Sequence, residues 1–206
     1  MEFHIWLTML VASFLISISP GAGAITTVNS ATNYGFKRSY AVIVGLQIGY
    51  LVQIIIVCAG LGGIISASVT LYNIIKWSGV LYLLYLGISC FCTSNNDFKD
   101  ENMEKKFKFS PLLIKACFVN LTNLKATVFL LAFIPQFLSL NEPKTVQLAI
   151  ICTTLICVDL IVMSGYGALG STIRSYTNGG NFIRIQNKIS GVALVIAALF
   201  LAQSGI

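Results

Sequence analysis

One carboxylate and one ammonium lie deep inside stretches that otherwise carry no charge. Asp159 has fourteen uncharged residues on each side within 145–173, and Lys125 is the single charged residue of 116–141. In a hydrocarbon setting such a carboxylate must be neutral, paired with a cation, or turned to water, and intramembrane acids mark ion and proton paths. Its protonation follows its surroundings, so an acid whose environment alternates can carry a proton. The plainer reading of Asp159 is a helix-packing polar residue. A lysine at this depth costs ~2.5–3.5 kcal/mol on insertion scales, so Lys125 needs a partner such as Asp159, a wet cavity, or a route by which its long stem reaches the interface.

Polar residues of a second kind cluster at two places. Ser19-Pro20-Gly21-Ala22-Gly23 interrupts a long apolar stretch, and Asn120-Leu121-Thr122-Asn123-Leu124 stands just before Lys125. Serine is a preferred N-cap and proline a preferred first helical residue, while proline cannot continue the helix that precedes it. The first cluster therefore predicts that one helix ends and another begins at Ser19, with Gly21 and Gly23 allowing close approach. Asn123 predicts a similar N-cap in the second. A helix start inside a bilayer offers unpaired N–H groups and partial positive charge, which suit a carboxylate. The candidate ligand-binding residues are accordingly Ser19, Pro20, Gly21, Gly23, Asn120, Asn123 and Lys125, with Asp159 as the candidate proton carrier.

The elements that must hold these groups are set by composition. Of 206 residues, 56% are hydrophobic and only 10% are charged, whereas a soluble domain carries roughly 25% charged residues. A soluble enzyme is excluded, and the class is all-α membrane protein. A spanning helix needs roughly 20 apolar residues. The pattern predicts six: near 5–33 (interrupted), 40–63, 72–92, 112–139, 146–170 and 188–205. As one straight helix, 3–36 would be about 50 Å long, well beyond a ~30 Å hydrocarbon core, so a break or tilt is required. Phe3–Ile18 superficially resembles a signal peptide, but Glu2 and the absence of Lys or Arg before it argue for a retained first helix.

The net charge of +6 does not indicate nucleic acid, because the basic residues sort by loop. Lys37, Arg38, Lys99, Lys105, Lys106, Lys108, Lys115, Arg174, Arg184 and Lys188 fall on one side, and Lys76 and Lys144 on the other. By the positive-inside rule this places both termini outside. The six cysteines read as packed thiols, no His–Cys spacing suits a metal, and His4 has no nucleophile to serve; no cofactor is expected.

The chain divides at the charged inner loop 94–109 into halves of about 1–93 and 110–206, within one transmembrane domain. Lys76-Trp77-Ser78-Gly79-Val80 returns 112 residues later as Lys188-Ile189-Ser190-Gly191-Val192. Ser19-Pro20 corresponds to Asn123-Leu124 after 104 residues, and Gly60, Gly62 and Gly63 to Gly165, Gly167 and Gly170. Three spans per half is an odd number, so related halves must be inserted oppositely, as two inverted three-helix repeats whose first helices are broken. Secondary transporters build midplane sites from such breaks. Gly45 and Gly49 at GxxxG spacing suit packing within the chain and also allow a homodimer seam.

At these positions the sequence resembles the LysE/RhtB family of amino-acid exporters. Ser19-Pro20-Gly21-Ala22 is similar to that family's Pro-Gly-Pro start, and Trp77 to Gly87 to its third-helix motif. Asn120 to Ala126, followed by Phe129 to Phe137 with its Pro135-Gln136-Phe137, resembles the Asn-Pro-Lys-Ala and Pro-Gln-Phe signature. The resemblance implies export of small zwitterionic amino acids or analogues across a bacterial inner membrane, driven by the proton motive force. Ala22 and Leu124 stand where the family has prolines, and Tyr50, with Gln53 one turn on, where it often has an acid. Asp159 would then couple protons alone. The competing expectation is a non-transporting membrane scaffold or assembly subunit whose polar residues only lock helices together.

Overall fold

The computed structural model describes residues 2–67, 69–92, 107–138, 143–173, 188, 191–192, 194–199 and 202–203. Every described element is a helix. The elements are α1 (Phe3–Ile18), α2 (Ala22–Tyr34), α3 (Phe36–Ala67), α4 (Val69–Cys92), α5 (Phe109–Leu121), α6 (Leu124–Phe133) with a 3₁₀ turn Ile134–Phe137, and α7 (Lys144–Ile173). Residues 188, 191–192, 194–199 and 202–203, within the predicted last span, are also helical. Most of the inner loop, together with Arg174 and Arg184, lies outside the described residues.

Among the described residues, Phe36–Gly60 and Thr145–Thr172 are each long and apolar enough to cross a membrane. The pairs α1/α2 and α5/α6 meet the same standard only as broken spans, bent by 58° and 51°. At the first break α1 stops where Pro20 has no N–H to offer. Ser19 (φ −67°, ψ 114°) and Gly21 (φ −138°, ψ −165°) are extended, and α2 starts with the Ile25 N–H donating to Gly21 O at 3.0 Å. Gly21, not Ser19, is thus the N-cap. Ser19 closes α1, because the three-residue link Ser19–Gly21 separates the helices and puts the serine two residues before the α2 N-cap.

The second break forms without a proline. The Thr122 hydroxyl donates to Phe118 O at 2.7 Å, and such back-bonding favours helix bends. The Asn120 amide donates to Leu46 O of α3 at 2.8 Å instead of serving its own helix. Asn123 does occupy the N-cap position of α6, but its side chain makes no capping bond. A further turn ends α2, where Gly35 adopts φ +83°, a left-handed conformation that glycine enters without a Cβ penalty.

Contacts fix the helix directions. Tyr40 meets Ser164, Gln47 meets Asp159, and Gly167 lies against Ser39, so α3 and α7 run antiparallel. Gly45 faces Leu113, Gly49 faces Cys117, and Gln53 reaches Asn123, so α3 and α5 run parallel. Trp6 bonds Thr154 at 3.1 Å and Tyr166 bonds Ile18, so α1 and α7 run parallel. It follows that α1 and α5 point in opposite directions. A Cβ on Gly45 or Gly49 would collide with the carbonyls of Leu113 and Cys117, and one on Gly170 would lie 2.8 Å from Val28 O. These glycines let helices of different halves touch backbone to backbone.

The interior has two apolar clusters. One joins Met9, Tyr50, Ile54, Leu83, Phe133 and Leu155; the other joins Val28, Ile43, Leu46, Ala116 and Met163. The outer surface is apolar too, with Leu81, Tyr85 and Ile161 about two-thirds exposed. An apolar exterior around a polar seam is the arrangement a lipid solvent demands.

Candidate functional site

The seam lies between the two apolar clusters, at the level of both breaks. It is a small cavity of about 50 Å³, with Ile16, Tyr50 and Phe129 lining it from one cluster and Ala24, Leu46 and Met163 from the other. Seven of the eight residues singled out from sequence share its wall: Ser19, Gly21, Gly23, Asn120, Asn123, Lys125 and Asp159. Pro20 faces away from it, into a neighbouring recess.

One side of the cavity is electropositive. The first-turn N–H groups of α2 have no intrahelical acceptor, and Gly21, Gly23 and Ala24 present that turn to the cavity. Lys125 lies alongside: a Cβ on Gly21 would sit 3.8 Å from its Nζ. The ammonium donates to Ser19 O at 2.6 Å and to Ile16 O at 3.4 Å, at the electronegative end of α1. The Ser19 hydroxyl is buried without a hydrogen-bond partner in the same wall. The opposing group is Asp159. Its Oδ2 accepts from Gln47 Nε2 at 2.7 Å, and its carboxyl also accepts from the Ser17 hydroxyl, while the Lys125 charge acts on it electrostatically. Gln47 and Ser17 thus donate to Asp159, and Lys125 donates to the Ile16 and Ser19 carbonyls.

The long helices hold the breaks reciprocally. Tyr166 of α7 donates its hydroxyl to Ile18 O at the first break. Gln53 of α3 donates to Asn123 O at 3.3 Å at the second, where Thr127 Oγ1 also donates at 3.1 Å. A carbonyl freed inside hydrocarbon and left unsatisfied costs several kcal/mol, so these side chains keep the breaks viable. Asn120 is largely occupied with structure, its Nδ2 on Leu46 O and its Oδ1 receiving Asn123 Nδ2 at a long 3.5 Å.

Gln47, Ser17 and Tyr166 are the site residues that reading for charge overlooked, while Gln53 entered it only as a neighbour of Tyr50. One of them left a usable trace. Gln47 and Asp159 are 112 residues apart, the offset that relates Lys76 to Lys188. Among the described residues, no group of three or more His, Cys, Asp or Glu is placed to hold a metal.

Residues 14–205 match the family described as LysE type translocator. This chain belongs to that family. Its relatives include the homoserine/homoserine lactone efflux proteins of Salmonella typhi and Salmonella typhimurium, each 36% identical over 204 residues, covering 99% of this chain and 98% of the relative. A membrane protein of Vibrio cholerae, described as uncharacterized, is 32% identical over 99% of both chains. No solved structure matches the chain. Members of the LysE type translocator family move solutes and are not enzymes.

Proposed function

We propose that the protein is a secondary transporter that exports a small amino acid or analogue across the inner membrane, coupled to protons, through six spans arranged as two inverted three-helix repeats. The observation that carries this reading is one cavity with a helix start and Lys125 on one side and Asp159 on the other. That polarity matches a zwitterion, with the carboxylate toward the α2 N–H groups and Lys125 and the ammonium toward Asp159. The 36% identical efflux relatives support the substrate class.

The inverted repeat is supported by residues at equal repeat positions that meet. Gln47 bonds Asp159 at an offset of 112, and Gly21 packs on Lys125 at 104, as equivalent positions do near a two-fold axis. Opposed α1 and α5 fit the same relation. α4 and the segment from Lys188 supply the third span of each half. About 50 Å³ accommodates only a water or two, so binding a substrate here requires the breaks to open.

Proteoliposomes loaded with unlabelled homoserine should take up labelled homoserine by counterflow. Asp159→Asn should retain that exchange and lose at least tenfold of the accumulation driven by a pH gradient. Undiminished gradient-driven accumulation in Asp159→Asn refutes its coupling role. Absence of counterflow in the unaltered protein refutes export of homoserine and leaves the scaffold reading standing.

A further inference from the structure

Behind Lys125 lies a second space, a recess of about 450 Å³. It shares Gly21, Asn123 and Lys125 with the small cavity, so these residues stand between the two. Its far wall is apolar and comes from other elements: Tyr82 and Leu86 of α4 with Leu194 of the C-terminal helical segment. Tyr82 and Leu194 are themselves 112 residues apart, which puts the recess on the same inter-repeat seam as Gln47 and Asp159. Where the polar cavity has room for water alone, the recess has room for a side chain.

We propose that this recess is the side-chain subsite of the transported amino acid, with Tyr82 and Leu86 setting which side chains are accepted. The proposal rests on the exporter reading. With the charged head group between the α2 start and Asp159, a side chain directed past Gly21 and Lys125 enters this open, largely apolar recess. Two consequences follow from chemistry. Burying an apolar side chain there is favourable in proportion to its area. A cationic side chain must pass the Lys125 ammonium in a poorly screened setting, where like charges repel strongly. The subsite therefore takes compact uncharged side chains and rejects those of lysine and arginine.

The test is counterflow in proteoliposomes with labelled homoserine, leucine and lysine, comparing the unaltered protein with Leu86→Trp and Leu86→Ala. Lysine should exchange at least tenfold more slowly than homoserine. Leu86→Trp, which fills the recess, should lower the leucine-to-homoserine rate ratio at least tenfold. Leu86→Ala, which enlarges it, should raise that ratio at least threefold, so a folding failure of one variant leaves the other decisive. Ratios unchanged in the folded variants assign the recess to a lipid chain and overturn the subsite; lysine exchange as fast as homoserine overturns the charge filter. A protein that exchanges none of the three sinks the exporter reading instead, and the two failures are distinct.

Discussion

A side chain that donates to a stray carbonyl does more for a membrane helix than for a soluble one, because no water stands ready to replace it. Tyr166 and Gln53 each perform this service at one break. Tyr166→Phe should therefore destabilise by about 1–3 kcal/mol, the cost of leaving a buried acceptor without its side-chain donor, and Gln53→Leu by less, because Thr127 Oγ1 still donates to Asn123 O. The measurement is the thermal unfolding midpoint of the purified protein in detergent, and unchanged midpoints in both variants would contradict the reciprocal bracing. At this scale the sequence was partly readable. Asp159 and Lys125 stood out because an isolated charge in an apolar window has few structural explanations. Gln47 and Gln53 did not, since a neutral amide is tolerated in a span for many reasons and nothing local marks its partner. Ser19 was misassigned as an N-cap because the Ser-Pro pattern assumes a helix that starts at the proline, while here Ser19 is the C-cap of α1 and Gly21 the N-cap of α2.

Among the elements, the two breaks have different causes and similar geometry, 58° against 51°. Proline announces the first in the sequence. The second depends on where Asn120 and Thr122 direct their side chains, which only the neighbouring α3 determines, and Leu124 in place of a proline hid it. The backbone nevertheless suits proline there. Asn123 is extended at φ −74° and ψ 98°, as a residue before proline should be, and Leu124 is the first residue of α6, where an N–H lacks an intrahelical acceptor. Leu124 is also 58% exposed. Leu124→Pro should be tolerated and should stabilise by ~0.4–1 kcal/mol through a stiffer unfolded chain. A lowered unfolding midpoint would show that the break is held in some other way.

Across the whole molecule, the charge pattern acquires a spatial meaning. The start of α3 with Lys37 and Arg38, the start of α5 with Lys108 and the end of α7 gather at one end, where the Arg38 guanidinium lies 5.3 Å from the Phe107 ring centre. Lys76, assigned from sequence to the opposite loop, lies inside α4 and is buried near the Trp77 ring. In a cysteine-free background, Lys108→Cys should react with a membrane-impermeant maleimide only in inside-out vesicles, and Glu2→Cys only in right-side-out ones. The reverse pattern would invert the proposed orientation. That the chain is built of apolar helices, with a break in each of two pairs, was legible in outline from the uncharged windows and the polar interruptions. Which helices of one half lean on which of the other was not, because glycine contacts such as Gly45 on Leu113 are a property of pairs.

Those glycine contacts limit how the protein can move. With no side-chain layer between α3 and α5, the two are locked as a single beam, and Gly170 fastens α7 to α2 in the same manner. Each beam takes one helix from either half. Swinging the two sequence halves apart as rigid blocks would break both beams, whereas the helical ladder is already interrupted at Ser19–Gly21 and Thr122–Asn123.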